Sequence, residues 1–398
     1  MEKKQNVPAL RFQGFSGEWE KTTVGKIFEV TRGETLAAPK TSPTQNPVMN
    51  YPVYSSQTKN NGLMGYYSEY LFENAITWTT DGANAGTVRF RKGKFYCTNV
   101  CGVLLSKQGY ANTFMAEALN KVAWKHVSKV GNPKLMNNVM KEISIHAPKT
   151  IDEQNELAEY IEKLDLNIFN RMQKIRKLQQ FRQAMLAKLF PREGAAEPEL
   201  RFRGFSGKWK CCRFGDIADI RRGLTYSPSS LRKSGIRVLR ASNIQDDTFY
   251  IREDDVFVEP DAVNIPMVKN GDILIAAAGG STRLVGKHAV IYGIEENSVA
   301  HGGFMLLASS DYPEFTNALM GANWYRHFVQ QFIAGGNGAI GNLNKSDLEE
   351  QIVFVPDVAE MEQIGNFFKE LDTYISLQQK KLERMQRLKA ALLEKLFV

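Results

Sequence analysis

Cysteine is scarce: the 398 residues hold four, Cys97, Cys101, Cys211 and Cys212. Neither neighbouring pair has Cys-x-x-Cys spacing, which excludes a disulfide framework and leaves reduced thiols as the expectation. Histidine is nearly as rare. His126, His146, His288, His301 and His327 show neither His-Glu-x-x-His nor any Cys/His metal spacing, so each is expected as an ordinary core or surface residue and no metal ligand is nominated. Long apolar runs are missing too. None reaches the roughly 20 residues that cross a bilayer, and the opening Met-Glu-Lys-Lys-Gln-Asn-Val-Pro leads into no apolar stretch. No membrane segment and no secretory signal are expected, and the location expected is cytoplasmic.

Catalytic signatures are absent as well. Ser281-Thr282-Arg283-Leu284-Val285-Gly286-Lys287-His288 superficially suggests a phosphate-binding loop, but the first required glycine is Ser281 and His288 follows the lysine. Gly335-Gly336-Asn337-Gly338 is not a dinucleotide fingerprint, because no acidic residue closes a βαβ unit after it. There is no Gly-x-Ser-x-Gly elbow. Nor is there an Asn-Pro-Pro-Tyr or Asp-Pro-Pro-Tyr tetrapeptide of the kind amino-methyltransferases use. The expectation is a chain that is not an enzyme, with no catalytic residue and no cofactor of its own.

What is present is a globular composition, with 43% hydrophobic and 24% charged residues, long enough for two or three domains. A net charge of +8 suggests a polyanionic partner, though many basic proteins bind no nucleic acid. The strongest signal is internal repetition. Leu10-Arg11-Phe12-Gln13-Gly14-Phe15-Ser16-Gly17-Glu18-Trp19 returns as Leu200-Arg201-Phe202-Arg203-Gly204-Phe205-Ser206-Gly207-Lys208-Trp209, eight of ten identical at an offset of 190. A second repeat closes each half, where 153–190 matches 360–397 without a gap. The middles, roughly 35–130 and 225–335, do not align, which suggests two similar frames carrying two dissimilar inserts.

The closing repeats predict long helices with a 3.5-residue apolar rhythm. The seam in the first copy is Leu157, Ile161, Leu164, Ile168, Ile175, Leu178, Met185 and Leu189, with Arg171 and Arg182 as polar exceptions. In the second it is Ile364, Phe368, Leu371, Ile375, Leu382, Met385, Leu392 and Leu396, with Gln378 and Lys389 at the same two places. A seam this long argues for a coiled coil, about 55 Å in length at 1.5 Å per residue. Each helix starts acidic and ends basic, which favours antiparallel pairing. A linker at 191–199 is too short to carry the second half back to the first helix's start, at roughly 3.5 Å per residue. Helices packing each on its own domain, or dimerising the chain, remain the alternatives.

Both inserts predict strands joined by tight turns: 75–80 and 87–90 in the first, 272–275 and 289–292 in the second, then a closing strand at 352–355 and helices at 112–127 and 313–332. The class is α+β: two similar strand-rich globular domains separated by two long helices in an antiparallel coiled coil. The boundaries are 1–150, helix 151–190, linker 191–199, 200–357 and helix 358–398. Loop residues able to meet phosphates and base edges are Tyr51, Tyr54, Ser55, Thr80, Asp81, Asn84, Arg89 and Lys92 in the first half. In the second they are Arg221, Arg222, Tyr226, Arg240, Ser242, Asn243, Ser281, Thr282, Arg283, Lys287 and Asn337. Any one of these could equally be a solvated loop residue; the collective pattern carries more weight than its members.

The repeated Leu-Arg-Phe-x-Gly-Phe-Ser-Gly-x-Trp, together with Glu-Gln-x-x-Leu-x-x-Tyr-Ile-x-x-Leu-Asp at 153–165 and Leu-Ala-Lys-Leu-Phe at 186–190, resembles the specificity subunit family of type I restriction–modification enzymes. The second copy departs slightly, with Glu360-Met361 where Glu-Gln is usual. The resemblance implies two target recognition domains, each reading half of a bipartite double-stranded DNA target, with the helices setting the spacer. It also implies docking of two modification subunits that use S-adenosylmethionine, and restriction subunits that use ATP and Mg. Two rivals remain. An autonomous DNA-modifying enzyme would bind S-adenosylmethionine itself, and a coiled-coil scaffold would show no preference between DNA sequences.

Overall fold

The computed structural model describes residues 6–56, 59–245, 247–279, 284–334 and 342–397. The chain forms two compact units, one of Met1–Met172 with Lys381–Val398 and one of Gln173–Lys380. The first runs β1 (Glu20–Thr23), α1 (Val24–Ile27), β2 (Glu29–Arg32), β3 (Tyr51–Tyr54), β4 (Leu63–Tyr67), β5 (Phe72–Thr79), β6 (Val88–Cys97), β7 (Cys101–Leu105), α2 (Thr113–Ala123), α3 (Asn137–Glu142), β8 (Ser144–Ala147) and into α4 (Ile151–Leu189). Then follow β9 (Lys210–Arg213), β10 (Asp219–Arg222), β11 (Leu231–Arg232), β12 (Ile236–Leu239), β13 (Ile244–Gln245), β14 (Thr248–Phe249), β15 (Val256–Val258), β16 (Ile273–Ala276), β17 (His288–Val290), β18 (Val299–His301) and β19 (Met305–Ser309). The second unit continues with α5 (Pro313–Met320), α6 (Asn323–Ala334), α7 (Lys345–Glu349), β20 (Ile352–Val355) and α8 (Val358–Leu396). The class is the α+β expected.

Both long helices begin at a cap. The Thr150 hydroxyl accepts from the Glu153 N–H at 3.5 Å, and Asp357 Oδ1 accepts from the Glu360 N–H at 3.0 Å. The sequence boundaries set these helices apart as elements of their own. In the structure each is shared, with α4 passing from the first unit to the second after Met172 and α8 returning after Lys380. All twenty seam positions are buried or half-buried.

Each core shows the antiparallel pairing by itself. In the first unit, Leu157 and Ile161 from the start of α4 join Leu396 from the end of α8, around Trp19, Trp78, Phe114 and Leu119. In the second, Leu186 and Leu189 at the end of α4, with Phe190 just after it, join Ile364 and Phe368 near the start of α8, around Trp209, Phe214, Phe315 and Phe328. Two polar seam positions are accounted for by charge. Arg182 grips Asp372 through two bonds of 2.5 and 3.0 Å, and its counterpart 207 residues on, Lys389, bonds Asp165 at 2.6 Å and Glu117 at 3.1 Å. Burial alone would lower both cations; their carboxylate partners outweigh it and raise them.

The inserts are less dissimilar than their sequences. The first unit has one sheet, β2-β7-β5-β6-β3-β4, beside the pair β1-β8. The second has β10-β19-β16-β17, a further sheet β11-β15-β12-β18, the hairpin β13-β14 and the pair β9-β20. Orders β2-β7-β5-β6 and β10-β19-β16-β17 are the same antiparallel arrangement, and the one parallel pair of each larger assembly, β3 with β6 and β12 with β18, also corresponds. In the first unit β6 runs ten residues and serves both roles; in the second the same path is cut into β17 and β18. A close backbone approach fixes the same corner twice: a Cβ on Gly33 would lie 2.1 Å from the Cys97 carbonyl oxygen, and one on Gly223 2.0 Å from that of Gly302. The expected single helix over 313–332 is broken at Gly321, and that over 112–127 ends as a 3-10 turn at Trp124–His126.

Gly365 lies inside α8, where glycine costs about 1 kcal/mol relative to alanine. A Cβ there would come within 2.8 Å of the Phe315 backbone nitrogen, so the glycine lets α5 lie against the helix. Its counterpart in α4 is Ala158, which is buried with its Cβ in place. Gly365→Ala is therefore expected to destabilise the second unit by about 1–3 kcal/mol through overpacking, against its favourable propensity. A rise in the thermal midpoint would refute the close approach.

Candidate nucleic-acid interface

The motif that opens each half is structural. Arg11 Nε and Nη2 donate to both oxygens of Glu153, the third residue of α4, at 2.7 and 2.8 Å, and Nη1 donates to the Gly17 carbonyl. Arg201 does the same to Glu360, at 2.7 Å for both bonds, with Nη1 on Gly207. The two carboxylates are 2% and 1% exposed, so each arginine fork neutralises a charge that water cannot reach. Trp19 adds an indole bond to Glu153 at 3.2 Å, whereas the Trp209 indole N–H has no partner among the described residues. The Glu360-Met361 departure keeps the gripped residue. Gln154, which Met361 replaces, only donates to the Pro148 carbonyl.

The nominated contact residues divide. Thr80 and Asn243 are buried, at 1% and 0% exposure, with their side chains bonded inside the protein. Thr80 donates to the Val100 carbonyl and to Asp81, and the Asn243 amide donates to Asp255 and the Tyr250 carbonyl. Arg221 also turns inward, bonding buried Asp272 at 3.0 Å and Ser309 at 2.8 Å. Tyr226 packs half-buried on Leu224, Ile236 and Val238. Arg240 donates to the Asp254 carbonyl, and Ser55 accepts from the Thr98 hydroxyl. Lys92 is exposed and pairs with Glu162 at 3.1 Å. Asn84, Arg222 and Ser242 are exposed, and Arg89 and Lys287 half-buried. Ser281, Thr282, Arg283 and Asn337 lie outside the described residues. No group of His, Cys, Asp and Glu among the described residues could hold a metal. His288 and His301 are core residues, the latter pushed down to about 4 by burial.

Two candidates do come together, with a residue the sequence reading passed over. On the first unit's sheet Thr77 pairs with Arg89 and Ala75 with Arg91, so both arginines stand on one face, two residues apart on β6. The opposite face, with Ile76, Trp78 and Leu104, is the one packed into the main core. Arg91 is 9% exposed. Its guanidinium lies over the Tyr54 ring, 3.8 Å from the centroid, and Nε donates to the Thr77 hydroxyl at 3.0 Å. Burial is the main influence on it and lowers its pKa, with Arg89 adding to the effect; no carboxylate is among its electrostatic neighbours. Cys97 and Cys101 flank it as protonated thiols, raised by burial, Cys101 to about 11. The signal available in sequence was the alternation Arg89-Phe90-Arg91, which puts both charges on one face of a strand.

The corresponding face of the second unit is unlike this. Matching the shared registers sets Ala289 at the place of Arg89 and Ile291 at that of Arg91, and both belong to a closed apolar core with Leu274, Ala276 and Leu307.

Comparison with known proteins agrees with this duplicated build. The model of the type I restriction modification DNA specificity domain matches twice, over residues 16–180 and 206–387. Among curated proteins of Mycoplasma pneumoniae, a type I specificity subunit N-terminus is 40% identical over 122 residues, 30% of this chain and 64% of that protein. The specificity subunit of the type I restriction enzyme MpnII is 37% identical over 141 residues, 35% of this chain and 42% of that one. The matched stretches thus span less than two thirds of either relative. A crystal structure of a type I restriction–modification S subunit from M. genitalium shares the fold, with a TM-score of 0.72 over 98% of this chain and 99% of that one at 17% identity. Carrying one copy of the domain in each half, the chain belongs to the type I restriction modification DNA specificity family.

Proposed function

We propose that this chain is the DNA-reading specificity subunit of a type I restriction–modification assembly and performs no chemistry itself. The observation that carries the reading is the specificity domain found twice on one frame, with differing surfaces on a common sheet topology. Each unit reads one half of a bipartite target. The helices, each a single element of 39 residues running through both units, set the spacer and dock two modification subunits. Those subunits bring S-adenosylmethionine, and restriction subunits bring ATP and Mg. The net charge of +8 suits the phosphate backbone, which supplies the sequence-independent part of such binding. No described helix is long and apolar enough to cross a membrane, in keeping with work on DNA in the cytoplasm.

Mapping methylated bases in a host genome with and without the chain tests the reading. A two-part motif should appear only when the chain is present; an unchanged methylome would refute it. The spacer has its own test. One heptad inserted after Leu178, with a second after its counterpart Met385, adds about 10.5 Å of helix, or about three base pairs at 3.4 Å each. The preferred spacer should lengthen by about that much, and an unchanged spacer would defeat the ruler.

A further inference from the structure

Arg91 is held as a charge that the protein itself does not answer. Five other buried or half-buried arginines, Arg11, Arg182, Arg201, Arg221 and Arg237, each meet a carboxylate within 3.0 Å. Arg91 has the Tyr54 ring and the Thr77 hydroxyl instead, and among the described residues its terminal nitrogens have no hydrogen-bond partner. Neither nitrogen is among the polar atoms sealed from solvent without a bond, so both reach the surface. An unpaired guanidinium in a largely buried place is costly. The pseudo-equivalent position shows that the fold does not require it, since Ile291 fills it as core. The ring behind and the hydroxyl at Nε restrict the rotational freedom that an arginine normally loses on binding, and hold the terminal nitrogens where they reach solvent.

We propose that Arg91 is a base-reading side chain of the first unit, donating two parallel hydrogen bonds to O6 and N7 of a guanine in the half-site that unit recognises. The inference rests on the reading under Proposed function. A fixed planar fork suits the O6/N7 edge that guanine presents in the major groove. Arg89, about 7 Å along the same strand face, adds positive charge for the neighbouring phosphates.

The test uses the full chain with its co-purified subunits, selecting from a library of random duplexes at two salt concentrations. The half-site of the first unit is identified beforehand by exchanging residues 35–130. Arg91→Met keeps the packing on Tyr54 and removes the fork. Guanine preference at one position of that half-site should fall roughly 5- to 100-fold, with the other half-site unchanged and the thermal midpoint equal or higher. Tyr54→Phe keeps the ring and should keep the preference. Uniform weakening on every sequence, with the salt slope reduced by about one, would mark a phosphate contact and overturn the proposal. So would an unaltered preference, loss at both half-sites, or a first half-site without guanine. A wild-type chain with no sequence preference would instead sink the specificity reading as a whole.

Discussion

Glu153→Ala is expected to cost the first unit about 1–3 kcal/mol, because it leaves the Arg11 guanidinium, only 14% exposed, without its carboxylate. The substitution removes both acceptors of the fork and the acceptor of the Trp19 indole N–H in one step. What is lost is mostly the solvation that Arg11 gave up on folding and can no longer recover. Urea unfolding of the full chain measures it, as a fall in the midpoint of the transition reporting on the first unit. Glu360→Ala should act likewise on the second unit, and more weakly, since Trp209 makes no such bond there. Glu159 is the internal control: its carboxylate is 66% exposed and pairs only with Lys163, so Glu159→Ala should leave the midpoint where it was. A Glu153 variant as stable as the Glu159 variant would mean the repeated motif is not a latch.

Exchange of residues 35–130 for the insert of another family member should redirect one half-site and leave the other intact. Specific binding to DNA is typically about a thousandfold or more tighter than non-specific binding; shared between two half-sites, preference for the original half-site should drop by about 30-fold or more. Sequence selection with the exchanged chain reads the outcome, and altered recognition of both halves would refute modular readout. The structure adds a condition on which exchanges fold. The insert includes α2, and Phe114 of that helix packs edge-on to Trp19 at 5.4 Å and against Phe397 at 5.2 Å, both part of the frame. Leu119 enters the same core as Leu157 and Ile161. An incoming insert with small residues at those two positions would leave cavities, at about 2–5 kcal/mol for each large-to-small change. Failure there would be a packing failure, visible as lost thermal stability and separable from lost recognition.

Much of the candidate interface was out of reach of the sequence, for a reason that individual residues show. Thr80, Asn243 and Arg221 have the chemistry of DNA contacts, and nothing in their identity tells whether a side chain points outward or into a hydrogen-bond network. Burial decided that. Arg91 was passed over because an arginine inside a strand gives no hint that a tyrosine from β3, far away in sequence, will pack behind it. Of the histidines, expected as ordinary core or surface residues, His288 and His301 lie in the core.

The sequence by itself determined the duplicated frame, the two long helices and the antiparallel sense of their pairing. These depend on periodicity and end charge, which are properties of order along the chain, and the helices run from Ile151 and Val358 as that order required. Only the tertiary structure decided that the two inserts share one strand order, that the repeated motif is an arginine–glutamate latch, and that one face of the first sheet carries arginines where the second has core. Strand order is a matter of which distant segments share hydrogen bonds. Many unrelated sequences satisfy the same backbone ladder, so identity fades while the topology remains.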